Sequence, residues 1–201
     1  KLGLQINSFG NASIRHNNLC FIKPSGVNLE LTKFSDISVV DIKSGKILSG
    51  KKPSVDLNIH LTIYKNFKDI NSIAHTHSLY ATSWAQSGRP IPCYGTTHAD
   101  YYPKEIPITD LVNKKDLKKN YETEIGNTIL KKLQKIKVKA TDIPGILVQN
   151  HGVVAWGNTG ENAIESAIAI EFISQLAFNS ELINRTIKKL PNDLHKKHYD
   201  R

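Results

Sequence analysis

With 201 residues, 39% of them hydrophobic and 22% charged, the chain can bury a substantial core and has the composition of a soluble globular protein. Lys and Arg outnumber Asp and Glu by 27 to 18, which gives a net charge of +9, yet no nucleic-acid-binding motif accompanies this excess. No apolar run approaches the ~20 residues that span a bilayer. We therefore predict one domain over 1–201 that binds neither nucleic acid nor membrane and whose charge attracts a small anionic substrate.

The two cysteines, Cys20 and Cys93, form neither a C-x-x-C pair nor a disulfide framework, which predicts a reducing, cytoplasmic location. The chain contains no methionine, even at its first position. We therefore expect the sequence to be trimmed or incomplete at one end or both.

Two turns near the N-terminus offer backbone N–H groups and short polar side chains. The Gly10-Asn11 turn opens the first predicted strand, and a second strand over 19–22 runs into the turn 23–26 (KPSG). Lys23 adds a positive charge to the second turn. Together the turns indicate a phosphate-binding cradle, and the alternative is a pair of ordinary hairpin turns.

Strands are predicted over 35–42 and 47–49, followed by a helix with Ser54 as its N-cap, because apolar residues recur at helical spacing from 57 to 67. The start of that helix would present N–H donors to an anion. Asp56, in its first turn, either points to the same ligand or only satisfies the helix dipole.

The segment 73–78 (IAHTHS) places His75 and His77 one residue apart in an extended run without Pro or Gly. Residues i and i+2 of a strand project from one face, so both imidazoles can reach a single point. Neutral imidazoles suit zinc, and a catalytic zinc has three protein ligands and one open position. The alternative is a pair of half-exposed surface histidines.

A helix over 79–87 precedes the polar cluster 95–102 (GTTHADYY), in which we expect no residue to be needed for packing. Asp100 is a candidate acid or base there, and a cap or turn is its alternative role. An amphipathic helix over 121–136 follows.

Strands over 146–149 and 153–156 predict a β-hairpin with His151 at its tip, followed by the permissive Gly152. His151 is therefore a candidate third metal ligand, although a satisfied core histidine would give the same pattern.

The last long helix, predicted from about 160 to 182, places apolar residues on one face. These are Ile164, Ala167, Ile168, Phe172 and Leu176. The basic, aromatic tail 194–199 is predicted to be a surface segment with a possible place in a subunit contact.

Taken together, the chain resembles the class II (metal-dependent) aldolase/epimerase family. The segments that carry the resemblance are HTHS at 75–78, GTTHADYY at 95–102, NHG at 150–152 and KHY at 197–199. The resemblance runs from Gly10 to Tyr199 in the family's order, and the 95–102 segment favours the L-ribulose-5-phosphate 4-epimerases over the aldolases. For the fold we expect an α/β/α sandwich, with helices on both faces of a central, mainly antiparallel sheet.

The resemblance also assigns roles to individual residues. The family's metal ligands fall on His75, His77 and His151, a carboxylate that is a ligand or near-ligand falls on Asp56, and the acid/base falls on Asp100. The substrate-binding positions fall on Gly10, Asn11, Lys23, Ser25, Gly26, Ser54, Val55, Thr96, Glu122 and His198. In the family these sites form between neighbouring subunits of a homotetramer.

Two positions depart from the family's pattern. Val55 stands where a second serine is common, which removes one phosphate donor. The second acid/base is a tyrosine beyond the KHY segment, past Arg201, and Tyr199 is not its equivalent. We expect that tyrosine to lie outside the given sequence or to be missing from the protein.

The implied activity interconverts L-ribulose 5-phosphate and D-xylulose 5-phosphate, in arabinose or ascorbate catabolism. The hydrogen on C4 is not α to the carbonyl, so inversion proceeds by retro-aldol cleavage of the C3–C4 bond, rotation of the aldehyde and re-addition of the enediolate. The implied cofactor is Zn2+, with Mn2+ or Co2+ as alternatives, acting as a Lewis acid. Asp100 and the tyrosine would each handle the C4 hydroxyl proton on one face.

Two other functions fit parts of the pattern. A sugar-phosphate aldolase of the same fold, such as L-fuculose-phosphate aldolase, would share the cleavage step and release the fragments. A non-catalytic basic module with a structural metal would have a closed, four-ligand site instead.

Overall fold

The structure is a computed structural model that describes residues 3–4 and 7–201. Residues 1, 2, 5 and 6 of the predicted domain lie outside this description. The described residues contain seven strands: β1 (Asn11–His16), β2 (Leu19–Ile22), β3 (Ser38–Asp41), β4 (Ile47–Ser49), β5 (Ser72–Thr76), β6 (Gly145–Val148) and β7 (Gly152–Gly157). They form one sheet in the order β4-β3-β2-β1-β5-β7-β6, with every neighbouring pair antiparallel.

Within residues 3–4 and 7–201, six α-helices accompany the sheet. They are α1 (Leu57–Asn66), α2 (Leu79–Gln86), α3 (Thr96–Ala99), α4 (Tyr121–Ile136), α5 (Gly160–Ile183) and α6 (Asn192–Tyr199). Short 3-10 turns occupy Leu29–Leu31, Phe34–Asp36 and Ala140–Asp142. In the described part of the chain, no helix combines the length and apolarity needed to cross a membrane.

Strand β1 shows that helices cover both faces of the sheet. Ser13 hydrogen-bonds to His60 of α1, so its side chain faces that helix. The next residue, Ile14, points to the opposite face, where a Cβ on Gly160 at the start of α5 would lie 3.5 Å from its Cδ1. Helix α4 packs on α1, and α2 packs on α5. The predicted α/β/α sandwich with a mainly antiparallel sheet is therefore confirmed.

The centre of the sheet is its most deeply buried part. Every residue of β5 and β6 is buried, and so are five of the six residues of β7. Each fully buried Ile or Val there contributes about 1.5–3 kcal/mol relative to an exposed position. The loops that follow β5 and β6 thus leave from a rigid platform.

The start of α1 differs from the prediction. Asp56, not Ser54, is the N-cap residue, and the Asp56 amide donates to Ser54 Oγ in the preceding turn at 3.3 Å. The reason is pairing with the 23–26 turn: the amide of Ser54 donates to the carbonyl of Lys23 at 3.1 Å, which keeps residue 54 outside the helix. The strand predicted over 35–42 is also shorter than expected. Residues 34–36 form a 3-10 turn, and the strand begins at Ser38.

The expectation that the 95–102 cluster plays no part in packing is wrong. His98, Ala99 and Tyr102 are buried, and the Tyr102 hydroxyl donates to the carbonyl of Gly145 at 3.0 Å. A buried tyrosine contributes its apolar ring to the core while its hydroxyl finds a partner. This segment is therefore part of the core.

Helix α5 buries a face that shares only Ala167 with the one predicted. Ile164, Phe172 and Leu176 remain 51%, 51% and 41% exposed. The buried side contains Ala163, Ala167, Ile170, Ile173 and Ala177, and its three alanines allow neighbouring elements to approach closely. The larger apolar side chains therefore form an uncovered stripe.

Candidate metal centre and substrate site

Three histidine side chains meet at one end of the sheet. The Nε2 atom of His75 lies 3.0 Å from Nε2 of His77 and 3.1 Å from Nε2 of His151. One nitrogen from each ring can be chosen so that all three lie within 4.8 Å of one another. Among the residues that the structure describes, no other group of three or more such side chains could hold a metal ion.

Local structure explains this convergence. His75 is the penultimate residue of β5, His77 follows its end, and His151 lies in the turn between β6 and β7. Strand β7 pairs with β5, and a Cβ on Gly152 would lie 2.6 Å from the carbonyl oxygen of Thr76. Glycine at 152 therefore permits the close approach that brings His151 to the other two.

The three rings are suited to bind a cation. The Nδ1 atom of His75 lies 2.7 Å from the carbonyl oxygen of Val153 and must donate to it, which leaves the lone pair of Nε2 facing the centre. Burial, and then the neighbouring His151 and His77, lower the pKa of His75 to about 3. Burial also lowers the pKa values of His77 and His151. Neutral imidazoles are the form that metal binding requires, so this triad can bind a divalent metal.

A carboxylate and an amide lie beside the triad. Oδ2 of Asp56 is 3.9 Å from Nε2 of His75 and accepts a hydrogen bond from Asn11 Nδ2 at 2.7 Å. Gly10 has φ +77° and its Cβ would lie 2.6 Å from the His75 carbonyl oxygen, so only glycine fits this approach. The Oδ1 atom of Asn11 is buried and has no hydrogen-bond partner among the described residues, which leaves it free for a ligand.

A second group of predicted residues lies on two paired turns that lead into Asp56. The turns around Pro24 and Pro53 are joined by an antiparallel bridge, which brings Lys23, Ser25, Gly26 and Ser54 together. Lys23 is 3% exposed, its Nζ donates only weakly to the Pro24 carbonyl at 3.3 Å, and burial lowers its pKa. A buried cation bonded to a neutral carbonyl is suited to an incoming anion. Val55 is 64% exposed and offers no side-chain donor.

Glu122 belongs to the same end of the molecule. It lies in the first turn of α4, and its charge, like that of Asp56, raises the pKa of His151 against the larger lowering by burial. The structure therefore gathers the histidines, the two carboxylates and the 10–11, 23–26 and 54 positions into one region.

Thr96, Asp100 and His198 lie elsewhere. Asp100 directly follows α3, which Thr96 begins, and its Oδ1 accepts from His198 Nδ1 at 2.9 Å. Asp100 also lines a groove of about 670 Å³ beside Ile70 and Gly157.

This groove lies at the end of β5 and β7 that is farther from the histidines. Gly157 pairs with Ser72, whereas Val153 pairs with Thr76 beside the histidines. A strand rise of ~3.3 Å per residue places these two ends of β5 ~13 Å apart. Within one chain, Asp100 therefore does not reach the histidine triad.

Two residues near the triad were not predicted. His60 is fully buried one helical turn after Asp56, with Nδ1 bonded to Ser13 Oγ at 2.6 Å and Nε2 without a partner in the described chain. The sequence signal that could have identified His60 is its i+4 spacing from Asp56, which places both residues on one face of the helix. Glu171 accepts hydrogen bonds from the first turn of α2. It lies about 90 residues from that turn in the sequence, so no local sequence pattern links the two.

Comparisons with known proteins agree with this geometry. Residues 1–178 match the family described as the Class II Aldolase and Adducin N-terminal domain. The whole chain aligns at 39% identity with 85% of a probable L-ribulose-5-phosphate 4-epimerase UlaF from Mycoplasma pneumoniae. It aligns at 37% identity with 88% of the L-ribulose-5-phosphate 4-epimerase UlaF from Salmonella paratyphi B.

Among solved structures, an L-fuculose 1-phosphate aldolase superposes with a TM-score of 0.82 at 25% identity, covering 98% of this chain and 87% of the other. A putative aldolase/epimerase/decarboxylase, YgbL from Klebsiella pneumoniae, superposes with a TM-score of 0.77 at 24% identity, covering 97% and 89%. From the match over residues 1–178 and the relatives that align along its whole length, we conclude that this chain belongs to the class II aldolase and adducin N-terminal domain family.

Proposed function

We propose that this chain, as one class II aldolase/epimerase-like domain, is an L-ribulose-5-phosphate 4-epimerase. It would interconvert L-ribulose 5-phosphate and D-xylulose 5-phosphate by breaking and re-forming the C3–C4 bond, in the cytoplasm and in arabinose or ascorbate catabolism. The observation that carries this proposal is a triad of converging histidines with Asp56 beside it, next to the paired turns that bear Lys23 and Ser54. Relatives that align with the whole chain and bear this enzyme's name support it.

The histidine triad fits a catalytic metal. Its Nε2 separations of 3.0 and 3.1 Å are close to the ~3.3 Å between tetrahedral ligands at the usual Zn–N distance of about 2.0–2.1 Å. His75, His77 and His151 would hold the ion, with Asp56 as a ligand or near-ligand. Imidazoles with one carboxylate favour Zn2+, and Mn2+ or Co2+ are the alternatives. When bound, the cation would supply Lewis-acid stabilisation of negative charge developing on the substrate.

The two paired turns would hold the substrate's phosphate. Lys23 would donate a charge-assisted hydrogen bond to a phosphate oxygen, and the backbone and hydroxyl groups of Ser25, Gly26 and Ser54 would add donors. Gly10 and Asn11 would line the side nearest the metal. Anchoring the phosphate keeps the aldehyde fragment in place while it rotates, which is the step that distinguishes an epimerase from an aldolase.

Proton transfer is assigned to Asp100, with its carboxylate oriented by the hydrogen bond from His198. Because this pair lies at the far end of β5 from the triad, we place it in the site of a neighbouring subunit, together with Thr96. Glu122 would contact the substrate from the triad's own subunit.

The uncovered stripe of α5 supports a homotetramer with shared sites. Ile164, Phe172 and Leu176 are about half exposed, and a contiguous apolar patch on the surface of a single subunit marks an interaction site. Part of this stripe lines a groove of about 450 Å³ with Thr97 and Tyr101, the neighbours of Thr96 and Asp100. Burying the stripe against a second copy would thus carry the Asp100 segment into a subunit interface.

Product analysis tests the proposal. Purified, metal-loaded protein is incubated with L-ribulose 5-phosphate, and D-xylulose 5-phosphate is assayed beside free glycolaldehyde phosphate. We expect the pentulose phosphate. Accumulation of the free aldehyde alone would favour the aldolase alternative, which the structural likeness to L-fuculose 1-phosphate aldolase supports. Binding without turnover would favour a non-catalytic module.

A further inference from the structure

The first turn of α2 is capped by a side chain from another helix. The amide of Tyr80 donates to Oε1 of Glu171 and the amide of Ala81 donates to Oε2, each at 2.9 Å. Tyr80 and Ala81 are the second and third residues of α2, whose N–H groups an N-cap side chain normally satisfies. One carboxylate of α5 therefore replaces the local cap.

Ser78, the N-cap residue of α2, does not perform this role itself. Serine is a preferred N-cap residue, yet the Ser78 side chain makes no bond to the first turn. Its Oγ instead accepts from Thr76 Oγ1 at 3.4 Å, and the residue is almost completely buried. Anchorage of the start of α2 therefore comes from Glu171.

This anchor binds the chain three residues after His77. Strand β5 ends at Thr76 and α2 begins at Leu79, so His77 and Ser78 alone join them. Strand β5 is fixed by pairing with β1 and β7. Glu171 fixes the other side of the connection, and the position of His77 is consequently determined from both directions.

We propose that Glu171 is a positioning residue of the metal centre, which holds His77 in place relative to His75 and His151 by tying α2 to α5. Hydrogen bonds to an ionised carboxylate are stronger than neutral ones, and negative charge at a helix N-terminus is favourable. The inference rests on the proposed metal-binding role of His77 and is independent of which sugar phosphate the enzyme uses.

Two variants of metal-free protein, titrated with Co2+ alone, test the inference. E171A removes both acceptors, whereas the isosteric E171Q keeps one oxygen and turns an amide NH2 toward the other N–H group. The visible absorption of bound Co2+ reports affinity and coordination. We expect affinity to fall about tenfold in E171A, the low end of the range for groups that orient metal ligands, and by less in E171Q. Amide exchange at Tyr80 and Ala81 should accelerate in both variants.

T159A is the matched control. Thr159 is the N-cap of α5, and its Oγ1 accepts from the amide of Asn162 at 3.2 Å. The variant also loses a helix cap, but it does so beyond the end of β7 that is farthest from the histidines. It should lower Tm by an amount comparable to E171Q and leave Co2+ affinity unchanged.

The outcomes separate this inference from the proposed function. If wild-type protein binds Co2+ and both Glu171 variants bind it equally well, the positioning role is overturned while the metal site stands. If wild-type protein does not bind Co2+, both the positioning role and the metal-dependent function are overturned. Weaker Co2+ binding in the Glu171 variants but not in T159A supports the inference.

Discussion

Asn11 Nδ2 donates to Asp56 Oδ2 at 2.7 Å and ties the start of β1 to the start of α1. Ser13 lies two residues after Asn11 on β1, and His60 lies four residues after Asp56 on α1. Ser13 Oγ bonds to His60 Nδ1 at 2.6 Å. A two-residue step on a strand covers ~6.6 Å and a four-residue step on a helix ~6 Å, so the two contacts are in register. The carboxylate beside the triad is thus positioned by a buried polar ladder between β1 and α1.

Acid should destabilise the metal-free protein through its buried histidines. Burial is the largest cause that lowers the pKa values of His60 and His75 to about 3, whereas the unfolded chain titrates near 6.5. The stability that these groups contribute is fully present above pH 6.5. This stability is lost as pH falls from 6.5 toward 3, because only the unfolded state takes up protons in that range. The free energy of unfolding then falls by up to about 1.4 kcal/mol per pH unit for each histidine.

Urea unfolding of metal-free protein at pH 7 and pH 5 measures this loss. His60→Asn is the informative variant, because an amide can keep a bond to Ser13 without a titrating nitrogen. Its stability should depend less steeply on pH. A stability that does not change between pH 7 and pH 5 would contradict the assignment.

Asp100→Asn should lower kcat by about 10²–10⁴-fold, the usual contribution of an acid/base group. Its Co2+ affinity should not change, because Asp100 lies at the opposite end of β5 from the triad. The measurement is steady-state turnover together with Co2+ titration. Weakened Co2+ binding would show that Asp100 contributes to a metal site, and would contradict its assignment to proton transfer alone.

Mixed oligomers test whether the sites are shared. Asp100→Asn and His77→Asn should each be nearly inactive, yet subunits mixed in equal amounts and re-assembled should regain about a quarter of the wild-type sites by random pairing. Neither variant re-assembled with itself should recover. If every site were built within one chain, the mixture would also remain inactive.

The proposed phosphate site predicts that KM rises when Lys23 is replaced. Lys23→Met should raise KM for L-ribulose 5-phosphate at least tenfold, because a charge-assisted bond contributes about 1.5–3 kcal/mol. It should also weaken competitive inhibition by inorganic phosphate. Lys52→Met, an exposed lysine beside the proposed phosphate site, is the matched control and should have a much smaller effect.

Val55→Ser should lower KM, since Val55 offers no donor where a hydroxyl could reach the phosphate. One added neutral hydrogen bond of about 0.5–1.5 kcal/mol corresponds to a change of up to about tenfold. The same steady-state assay measures it, with Val55→Ala as the control for loss of the exposed isopropyl group. Equal KM values for the two variants would place residue 55 outside the proposed phosphate site.

Metal removal should abolish turnover and lower Tm. A ligand that binds only the folded state stabilises it by about 2.7 kcal/mol at one hundred times its Kd. Dialysis against a chelator, followed by addition of Zn2+, Mn2+ or Co2+ singly, should restore both properties and rank the ions. Full activity in thoroughly metal-free protein would contradict the proposed chemistry.

Elements set by local periodicity were well predicted. The helix expected over 121–136 has these bounds in the structure, and the hairpin that carries His151 forms as expected. Ser54 and the stripe on α5 were misjudged, because their environment depends on distant segments. Pairing with the 23–26 turn keeps Ser54 out of α1, and α5 buries a side rich in alanine instead of the side that carries its largest apolar residues.

The sequence by itself determined the chemical groups at the candidate cation-binding and anion-binding positions, because residue type and short spacing specify what His75, His77 and the 23–26 turn can offer. Only the tertiary structure decided that His151 joins the pair, that Asp100 does not, and that Glu171 caps the helix after His77. The physical reason is that strand order and register set these long-range contacts. Once β7 pairs with β5, the turn before β7 must lie beside His75, and the groove that holds Asp100 lies a strand's length away.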